Sequence, residues 1–484
     1  MKAHVALCVF AATLIACGDG GPTASSPSSP GTPARLTFVT QPSDVEGNEP
    51  IAPVVQVAVL DGFGNTVTTA SDPVTVQIGA NPGEGALIGS ATVSPRAGIA
   101  TFADLRVDRP GSGYTLAASS GTLVGVESAA FAIRLTFADV SAGGGGHTCG
   151  VTRGGSGYCW GSNSVGQLGD GTTVSKRTPA LVVTTAGLAF AAVNAGNVHT
   201  CSITRSGAAY CWGFNEKGQL GDRTLTERTV PVPVFGQATF VTLSAGYDHT
   251  CGVALGGTVC WGNNASGELG DGTRIQRTTP DLVRGLPALA AVSAGAFFTC
   301  GVTTAGAGFC WGRGGSLGDG STTFSDVPVA VSGGLTFVAL SSGSLHSCGV
   351  TPTGAAYCWG YNGNGELGDG TTIDRTSPVI VAGGITFVGV SAGHLHSCGV
   401  TSGGAAYCWG NNTSGQLGDG TTLGRTTPTL VAAPAGVRFA VVSAGAHSCG
   451  VTPTGAAYCW GYNRNGELGN GSMISSDVPV RVVQ

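Results

Sequence analysis

The sequence predicts an all-β protein in which a seven-bladed β-propeller follows a smaller β-sandwich. The triplet Cys-Trp-Gly occurs seven times, 48 to 52 residues apart, and its tryptophans are the only ones in the chain. A fixed period near this length is typical of one supersecondary unit copied head to tail, each copy burying its apolar face against its neighbours. Glycine, at 83 of 484 residues without a collagen period, indicates many tight turns. Seven copies that read as strands predict a closed ring.

Length and composition exclude several classes of protein. A chain of 484 residues is too long for one compact core, so we expect more than one domain. Apolar residues make up 42% of the chain, which excludes wholesale disorder. The formal net charge is −5 and there are only three lysines, Lys2, Lys176 and Lys217. We therefore expect no nucleic-acid partner.

The first 17 residues are predicted to be an export signal. Lys2 provides the charge, and the apolar run from Val5 to Ile15 is too short to span a membrane. Leu14-Ile15-Ala16-Cys17 resembles the lipobox of bacterial lipoproteins, which implies a lipid anchor on Cys17; ordinary cleavage with an incidental cysteine is the alternative. Residues 18–34, rich in Ser, Pro and Gly, are predicted to be a flexible linker. We expect an exported, lipid-anchored protein of the bacterial cell envelope; the outer membrane and the cell surface are candidate locations, and the sequence does not distinguish the inner from the outer membrane.

Residues 35–134 show the alternation of short strands, for example from Val74 to Ile78, separated by turn clusters at the spacing of a sandwich. The stretch from Val57 to Asn65, Val-Ala-Val-Leu-Asp-Gly-Phe-Gly-Asn, resembles bacterial immunoglobulin-like domains of surface proteins. The resemblance implies an immunoglobulin-like β-sandwich acting as a spacer or adhesive module. Asp61 and Asn65 offer oxygen atoms for calcium, but we favour an ordinary turn.

Residues 135–484 contain the repeats. Each copy carries Ser-Ala-Gly-x-x-His-[Ser/Thr] or a close variant, then the Trp-Gly pair, then a variant of Gly-[Gln/Glu]-Leu-Gly-Asp-Gly, as from Ser391 to Gly420. Four short β segments between glycine turns describe one propeller blade. The repeat resembles that of the regulator of chromosome condensation (RCC1) family over all seven copies, and that family folds as a seven-bladed propeller.

Each copy also has a second cysteine, nine or ten residues before the one in the triplet. A glycine-containing turn lies midway, so the two cysteines are expected to face each other across an antiparallel hairpin, within disulfide reach. An exported chain can oxidise them, and each bridge contributes roughly 2–3 kcal/mol in the chain-entropy model. Zinc is the alternative, but the CxxC spacing is absent and Phe298 replaces the histidine in the fourth copy. The expected pairs are Cys149 with Cys159, Cys201 with Cys211, Cys251 with Cys260, Cys300 with Cys310, Cys348 with Cys358, Cys398 with Cys408, and Cys449 with Cys459.

The repeated polar residues are expected to serve the scaffold. The leucine of the Gly-[Gln/Glu]-Leu-Gly motif is expected to fill the seam beside a tryptophan, and the following aspartate, or Asn470 in the last copy, to cap turn amides. Six histidines, His147, His199, His249, His346, His396 and His447, are expected to be hydrogen-bonding struts. No unique nucleophile, base and acid stand out. We therefore expect no enzymatic activity, no cofactor and no metal.

Function is expected where the copies differ, in the two positions before the repeated histidine. In the related plant ultraviolet-B photoreceptor and the propeller-type β-lactamase inhibitor protein, one face carries the partner contacts, which implies a binding face here. Its aromatic and aliphatic composition suits an interface core, although scattered surface apolar residues are common. The predicted binding residues are Tyr247, Asp248, Phe297, Leu345, His394 and Leu395. We expect a non-enzymatic, surface-anchored binding protein for a protein or glycan that the sequence does not identify.

Two alternative functions fit the sequence less well. The first is exchange of guanine nucleotide on a small GTPase, as in nuclear members of the family. That activity relies on a wedge inserted in a blade, for which the 48- to 52-residue spacing leaves no room. The second, hydrolysis of envelope glycans, lacks paired carboxylates at unique positions. The fourth copy is unusual, because its loop after the tryptophan is shortened to Arg313-Gly314-Gly315-Ser316, which predicts a notch in the ring.

Overall fold

The computed structural model describes residues 31–47, 49–184 and 188–483. The predicted signal segment 1–17, with Cys17, and most of the predicted linker lie outside the described residues. All regular elements of the described chain are strands, so it offers no helix of the length and apolarity needed to cross a membrane. The prediction of an all-β protein is confirmed.

The N-terminal part consists of short strands around one apolar core. Strands β1 to β12 are Arg35–Thr40, Val45–Glu46, Val55–Leu60, Val74–Ile78, Leu87–Ile88, Thr92–Val93, Ile99–Phe102, Arg106–Val107, Gly111–Tyr114, Leu116–Ser119, Val126–Glu127 and Phe131–Arg134. They form sheets β1-β3-β7, β11-β10-β4-β6 and β2-β12-β9 and a ladder β5-β8. The core includes Leu36, Val57, Phe102, Tyr114 and Phe131, all buried.

The turn at Asp61 is held by its own hydrogen bonds. Its carboxylate accepts from the backbone N–H groups of Phe63 and Asn65, both at 2.9 Å, and from the Asn65 side chain at 3.1 Å. The Asn65 backbone bond is the main cause that lowers the pKa of Asp61 to about 2. Because these donors occupy the carboxylate oxygens, the structure supports a turn here and not a calcium site.

The rest of the chain forms seven four-stranded antiparallel sheets, named sheet 1 to sheet 7, each taking its four strands in chain order from one continuous segment. Strands β13 to β28 (sheets 1 to 4) are Phe137–Ala142, His147–Thr152, Gly157–Gly161, Lys176–Leu181, Phe190–Ala195, His199–Thr204, Ala209–Gly213, Arg228–Pro233, Phe240–Ala245, His249–Ala254, Gly257–Gly262, Arg277–Leu282, Leu289–Ala294, Phe298–Thr303, Gly308–Gly312 and Ser325–Ala330. Strands β29 to β40 (sheets 5 to 7) are Ala339–Ser342, His346–Val350, Ala356–Gly360, Arg375–Ile380, Gly389–Ala392, His396–Val400, Ala406–Gly410, Arg425–Leu430, Val441–Ala444, His447–Val451, Ala457–Gly461 and Ser476–Arg481.

The sheets are arranged around a central axis, with the first strand of each innermost. The C-terminal ends of all seven first strands, such as Ala142 and Ala392, line one central cavity. The fourth strand of every sheet is an outer edge and contains a proline, for example Pro428 in β36. Proline is tolerated at an edge because it removes only an unpaired donor, and it discourages further strand pairing.

Backbone hydrogen bonds run from sheet to sheet around the axis and close the ring. In each sheet the residue after the Gly of the first loop donates its N–H to the corresponding Gly carbonyl of the next sheet, as His394 does to Gly445 at 2.9 Å. The last bond of the series runs from Ala446 in sheet 7 to Gly143 in sheet 1, at 3.1 Å. The architecture is therefore a closed propeller.

Each tryptophan joins two neighbouring sheets. The seven indoles are fully buried, and six of them donate Nε1–H to a backbone carbonyl in the preceding sheet, as Trp409 does to Glu366 at 2.8 Å. Leu367 packs in the same cluster as Trp409, which confirms the predicted role of the repeated leucine. Gly368 lies directly against the indole, since a Cβ there would be 2.7 Å from Nε1.

Seven disulfides staple the second strand of each sheet to the third. The paired cysteines stand directly opposite each other in the ladder, and their Cα atoms are 4.0–4.1 Å apart in every pair. All fourteen cysteines predicted to pair are bonded as expected, and the zinc alternative is wrong. The bonds join Cys149 to Cys159, Cys201 to Cys211, Cys251 to Cys260, Cys300 to Cys310, Cys348 to Cys358, Cys398 to Cys408, and Cys449 to Cys459.

The repeated histidines are buried struts between sheets, as predicted. His396 Nε2 lies 2.7 Å from Ser448 Oγ of the next sheet, and that hydroxyl donates to the Gln416 carbonyl at 2.8 Å. Because the single hydroxyl proton is used there, the serine accepts from a protonated Nε2. Burial lowers the pKa of His396 to about 3, so the ring is neutral at physiological pH. Only Phe298 in sheet 4 breaks the series.

Candidate functional site

The loops between first and second strands and between third and fourth strands lie at one end of the ring, because neighbouring strands are antiparallel. Their contact is direct: the N–H of Ser162, in the second type of loop, donates to the Gly146 carbonyl, in the first, at 2.8 Å. We call this end the loop face. It carries all six residues predicted to bind a partner.

The centre of the loop face is a narrow cavity of about 80 Å³. Its wall consists of the repeated Ala, Gly and Ser residues at the ends of the inner strands. Such a volume holds only a few water molecules, at roughly 30 Å³ each. Tyr247 and His394 also border the cavity. A larger ligand would therefore contact the surface around the cavity and not its interior.

Three of the predicted residues meet at the mouth of this cavity. The ring centroid of Tyr247 lies 6.1 Å from that of Phe297 and 6.4 Å from that of His394, both in tilted geometry. These separations are typical of favourable aromatic pairs. The three side chains belong to sheets 3, 4 and 6 and are half-buried.

Arg313 extends this group outward. It is exposed, and its guanidinium carbon lies 5.7 Å from the centroid of the Phe297 ring, within the range of a cation–π interaction. We call Arg313, Phe297, Tyr247 and His394 the aromatic row. Sequence reasoning missed Arg313 as a member, although it noted the shortened loop in which the residue lies.

The other predicted residues have more local surroundings. Leu345 and Leu395 are half-buried, and their backbone carbonyls accept from Tyr361 at 3.0 Å and Asn411 at 2.9 Å, respectively. Asp248 accepts through its carbonyl from Asn263. Burial raises the pKa of the Asp248 carboxyl, and nearby Lys217 opposes that shift.

In six of the seven sheets, one buried asparagine organises the long loop between the third and fourth strands, and sequence reasoning missed it. Asn362 Oδ1 accepts from the Leu367 N–H at 2.9 Å, and its Nδ2 donates to the Asp369 side chain and to the Thr371 and Ile373 carbonyls. The sequence contained a signal, because the asparagine recurs three residues after the tryptophan; in sheet 4, Gly314 occupies that position. Each loop aspartate, or Asn470, accepts from a turn N–H as predicted, the acceptors being Asp170, Asp222, Asp271, Asp319, Asp369, Asp419 and Asn470.

Every long loop also exposes one large apolar side chain or more, and this too was missed. This apolar residue follows the loop aspartate or Asn470 by three to five residues, so its regular recurrence was a signal in the sequence. Their exposed fractions range from 46% to 77%. We call these residues the apolar rim: Val174, Leu225, Ile275, Phe324, Ile373, Leu423 and Ile474.

Buried carboxylates occur near the loop face but serve its structure. Glu268 is fully buried, and its oxygens accept from the Asn263 side chain at 2.9 Å and the Ser266 N–H at 2.8 Å. Burial is the main cause that raises the pKa of Glu268. Within the described part of the chain, no three or more His, Cys, Asp or Glu side chains are grouped so that they could hold a metal ion.

Comparison with known families gives consistent matches. The family model described as RCC1-like domain matches residues 31–394. Two models described as regulator of chromosome condensation (RCC1) repeat match residues 387–416 and residues 403–451 and 454–484. The matches extend over the repeats and include the N-terminal sheets.

Curated relatives share short segments with the chain. The human protein named probable E3 ubiquitin-protein ligase HERC4 is 36% identical over 116 residues, which are 23% of this chain and 11% of the ligase. The ultraviolet-B receptor UVR8 of Arabidopsis thaliana is 34% identical over 115 residues, which are 23% of this chain and 26% of the receptor. The alignments thus span about a tenth and a quarter of these relatives.

These relatives correct one expectation. We expected no enzymatic activity, and the presence of a probable E3 ubiquitin-protein ligase among the relatives contradicts it. The inference failed because a repeated scaffold says nothing about the activity of the protein that contains it.

A solved structure matches the fold. Yeast RCC1 (Prp20), whose crystal structure was determined bound to Kap60, superposes with a TM-score of 0.60 at 22% sequence identity, covering 68% of this chain and 83% of that one. At this identity the likeness establishes the fold alone.

Proposed function

Because the chain belongs to the RCC1-like family of β-propellers, we propose that it binds a partner protein through its loop face. The observation that carries the proposal is the aromatic row. Its members come from sheets that are not all adjacent, three of them meet at the mouth of the central cavity with Arg313 farther out, and their chemistry differs from that of the equivalent residues in other sheets. Aromatic side chains and arginine are the residues most enriched in interface hot spots.

Further features support a protein partner. The apolar rim lies in loops at the same end of the ring as the row and exposes further apolar side chains, so a large surface could be covered on binding. Six of the seven loops between third and fourth strands are preorganised by a buried asparagine, and preorganisation lowers the entropic cost of association. The loop of sheet 4, which carries Arg313, has Gly314 at that position. Yeast RCC1, which has a similar fold, was crystallised with Kap60 bound.

We propose that the seven sheets are the blades of a seven-bladed propeller, residues 135–484, and that residues 35–134 form an immunoglobulin-like spacer. We also propose that residues 1–17 are a lipoprotein signal, that Cys17 is lipidated, and that residues 18–34 link the anchor to the folded part in the cell envelope. The seven disulfides support this location, since such bonds persist in oxidising compartments.

The test is capture of a partner from a native envelope extract by the whole chain and by two double variants. Tyr247→Glu/Phe297→Glu places charge in the aromatic row. Val241→Glu/Val388→Glu is the matched control, because both valines are 55% exposed and lie at or just before the start of inner strands, at the opposite end of the ring. We expect the first variant to lose a partner that the control retains.

The comparison requires that both variants fold, which far-UV circular dichroism and a count of free thiols without reductant would show. Capture of the same partner by the Tyr247→Glu/Phe297→Glu variant would exclude the row as the binding site. Loss of the partner in the control alone would move the site to the other end of the ring.

A further inference from the structure

We infer that the partner presents a carboxylate beside an apolar side chain, with the carboxylate bound by Arg313 and the apolar group on the rings of Phe297 and Tyr247. This inference rests on the proposed function and specifies its chemistry. It comes from a comparison of the cations in the seven repeats.

The basic residue that opens the outer strand is neutralised within its own loop wherever it occurs. Its charged group lies 2.7–3.4 Å from the loop aspartate in five sheets. These aspartates are almost fully buried and these cations only partly exposed, so the cations belong to the scaffold. The pairs are Lys176 with Asp170, Arg228 with Asp222, Arg277 with Asp271, Arg375 with Asp369, and Arg425 with Asp419.

Sheet 4 departs from this arrangement. Ser325 takes the place of the basic residue, as Ser476 does in sheet 7. Arg313 stands directly after the Cys-Trp-Gly triplet, where the other sheets have Ser, Phe, Asn or Tyr. Within the residues that the structure describes, no carboxylate lies within 4 Å of Arg313, and its guanidinium carbon lies 5.7 Å from the centroid of the Phe297 ring. This guanidinium is therefore a surface cation that the scaffold does not use.

The placement of Arg313 suits a carboxylate ligand. The guanidinium of Arg313 is exposed and its N–H groups are free for a ligand, two of which match the two oxygens of a carboxylate in a bidentate bond. Beside it, the half-buried rings of Phe297 and Tyr247 provide an apolar surface within the reach of the next side chain.

The charges around the row favour the same partner. Glu268 is fully buried and hydrogen-bonded, so it offers no exposed carboxylate, and Asp248 is half-buried. Lys217 acts on Asp248 electrostatically and adds positive charge on this side. A neutral glycan stacked on the rings would leave Arg313 without an anion.

The experiment uses a phage-displayed library of random 12-residue peptides, selected on the whole oxidised chain alone. The enriched peptides are then tested for binding to the Tyr247→Glu/Phe297→Glu variant. We expect the enriched peptides to share Asp or Glu next to a large apolar residue. Arg313→Gln is expected to lower the affinity for the synthetic peptides by about tenfold or more, the range for a lost charge-assisted hydrogen bond. Arg313→Glu is expected to bind the same peptides with Lys in place of the acid better than the parent peptides.

Arg464→Gln is the control, since Arg464 is also an exposed cation of the loop face but lies outside the row. It is expected to leave affinity unchanged. Enriched peptides that need Tyr247 and Phe297 but contain no acid, or that bind Arg313→Gln equally well, would overturn this inference and leave the proposed function standing. Peptides that bind the Tyr247→Glu/Phe297→Glu variant equally well, or no enrichment at all, would count against both.

Discussion

Two glycines with the same backbone conformation give a direct measure of how tightly the tryptophan seams are packed. Gly368 and Gly384 have φ angles of 66° and 64°, so replacing either with alanine forces the same left-handed conformation. They differ in surroundings. A Cβ at Gly368 would lie 2.7 Å from Trp409 Nε1 and 2.8 Å from its Cδ1, whereas a Cβ at Gly384 would meet nothing within 4 Å.

The expected free-energy changes follow from these contacts. Gly384→Ala is expected to lower the free energy of unfolding by about 1–2 kcal/mol, the penalty of a left-handed residue with a Cβ. Gly368→Ala carries the same penalty and must also displace a fully buried indole. Overpacking costs about 1–3 kcal/mol. Displacing the indole would also weaken the hydrogen bond from Trp409 to the Glu366 carbonyl, which adds about 1 kcal/mol. We therefore expect Gly368→Ala to be about 2–4 kcal/mol more destabilising than Gly384→Ala.

The assay is urea unfolding of the oxidised protein at neutral pH, monitored by tryptophan fluorescence. The two variants are compared when the free energy of unfolding depends on urea concentration with the same slope in both. All seven tryptophans are buried in the ring, so the signal reports on the seams themselves. A difference between the variants below about 1 kcal/mol would refute the idea that tight indole–glycine contact stabilises the seams.

Three further outcomes are expected. Cys398→Ala/Cys408→Ala is expected to lower stability by roughly 2–3 kcal/mol, from the entropy of its closed loop, and an unchanged urea midpoint would contradict this. The buried histidines have folded pKa values of about 3 to 4, below the ordinary 6.5. The unfolded chain then binds more protons, so stability is expected to fall as pH drops from 6.5 towards 3. His249→Phe, which introduces the residue found at the equivalent position 298, is expected to weaken that pH dependence. An unchanged pH profile would refute the idea that the buried histidines cause the loss of stability. Asn362→Ala is expected to cost about 2–4 kcal/mol in urea unfolding because it leaves buried loop groups unpaired. Asn411→Ala, at a half-buried position of the same face, is expected to cost about 1 kcal/mol or less, and equal costs would count against the organising role of Asn362.

The regular part of the fold was predictable because each contact recurs with the period of the sequence. The position of Cys398 relative to Cys408 fixes a hairpin, and the position of His396 fixes a strut, whatever the neighbouring copy contains. The organising asparagine, in six of the seven copies, and the apolar rim recur with the same period, so the sequence contains the signal for both.

The aromatic row could not be predicted in the same way. Tyr247 and His394 are separated by 147 positions in the sequence, and their contact depends on the closure of the ring and on how far each side chain reaches across the cavity mouth. The approach of Arg313 to Phe297 depends on the shortened loop of sheet 4, whose path the repeat pattern does not determine.

The way in which the ring is closed has a mechanical consequence. Sheets 1 and 7 share no strand, so the seam between them consists of contacts such as Ala446 to Gly143 and Trp160 to the Glu467 carbonyl. A pulling force applied between the two ends of the propeller would load this seam first, and the ring would open between sheets 1 and 7 before any hairpin unfolded. The disulfides would then keep the second and third strands of each sheet together, so the opened chain would retain seven stapled hairpins able to close again.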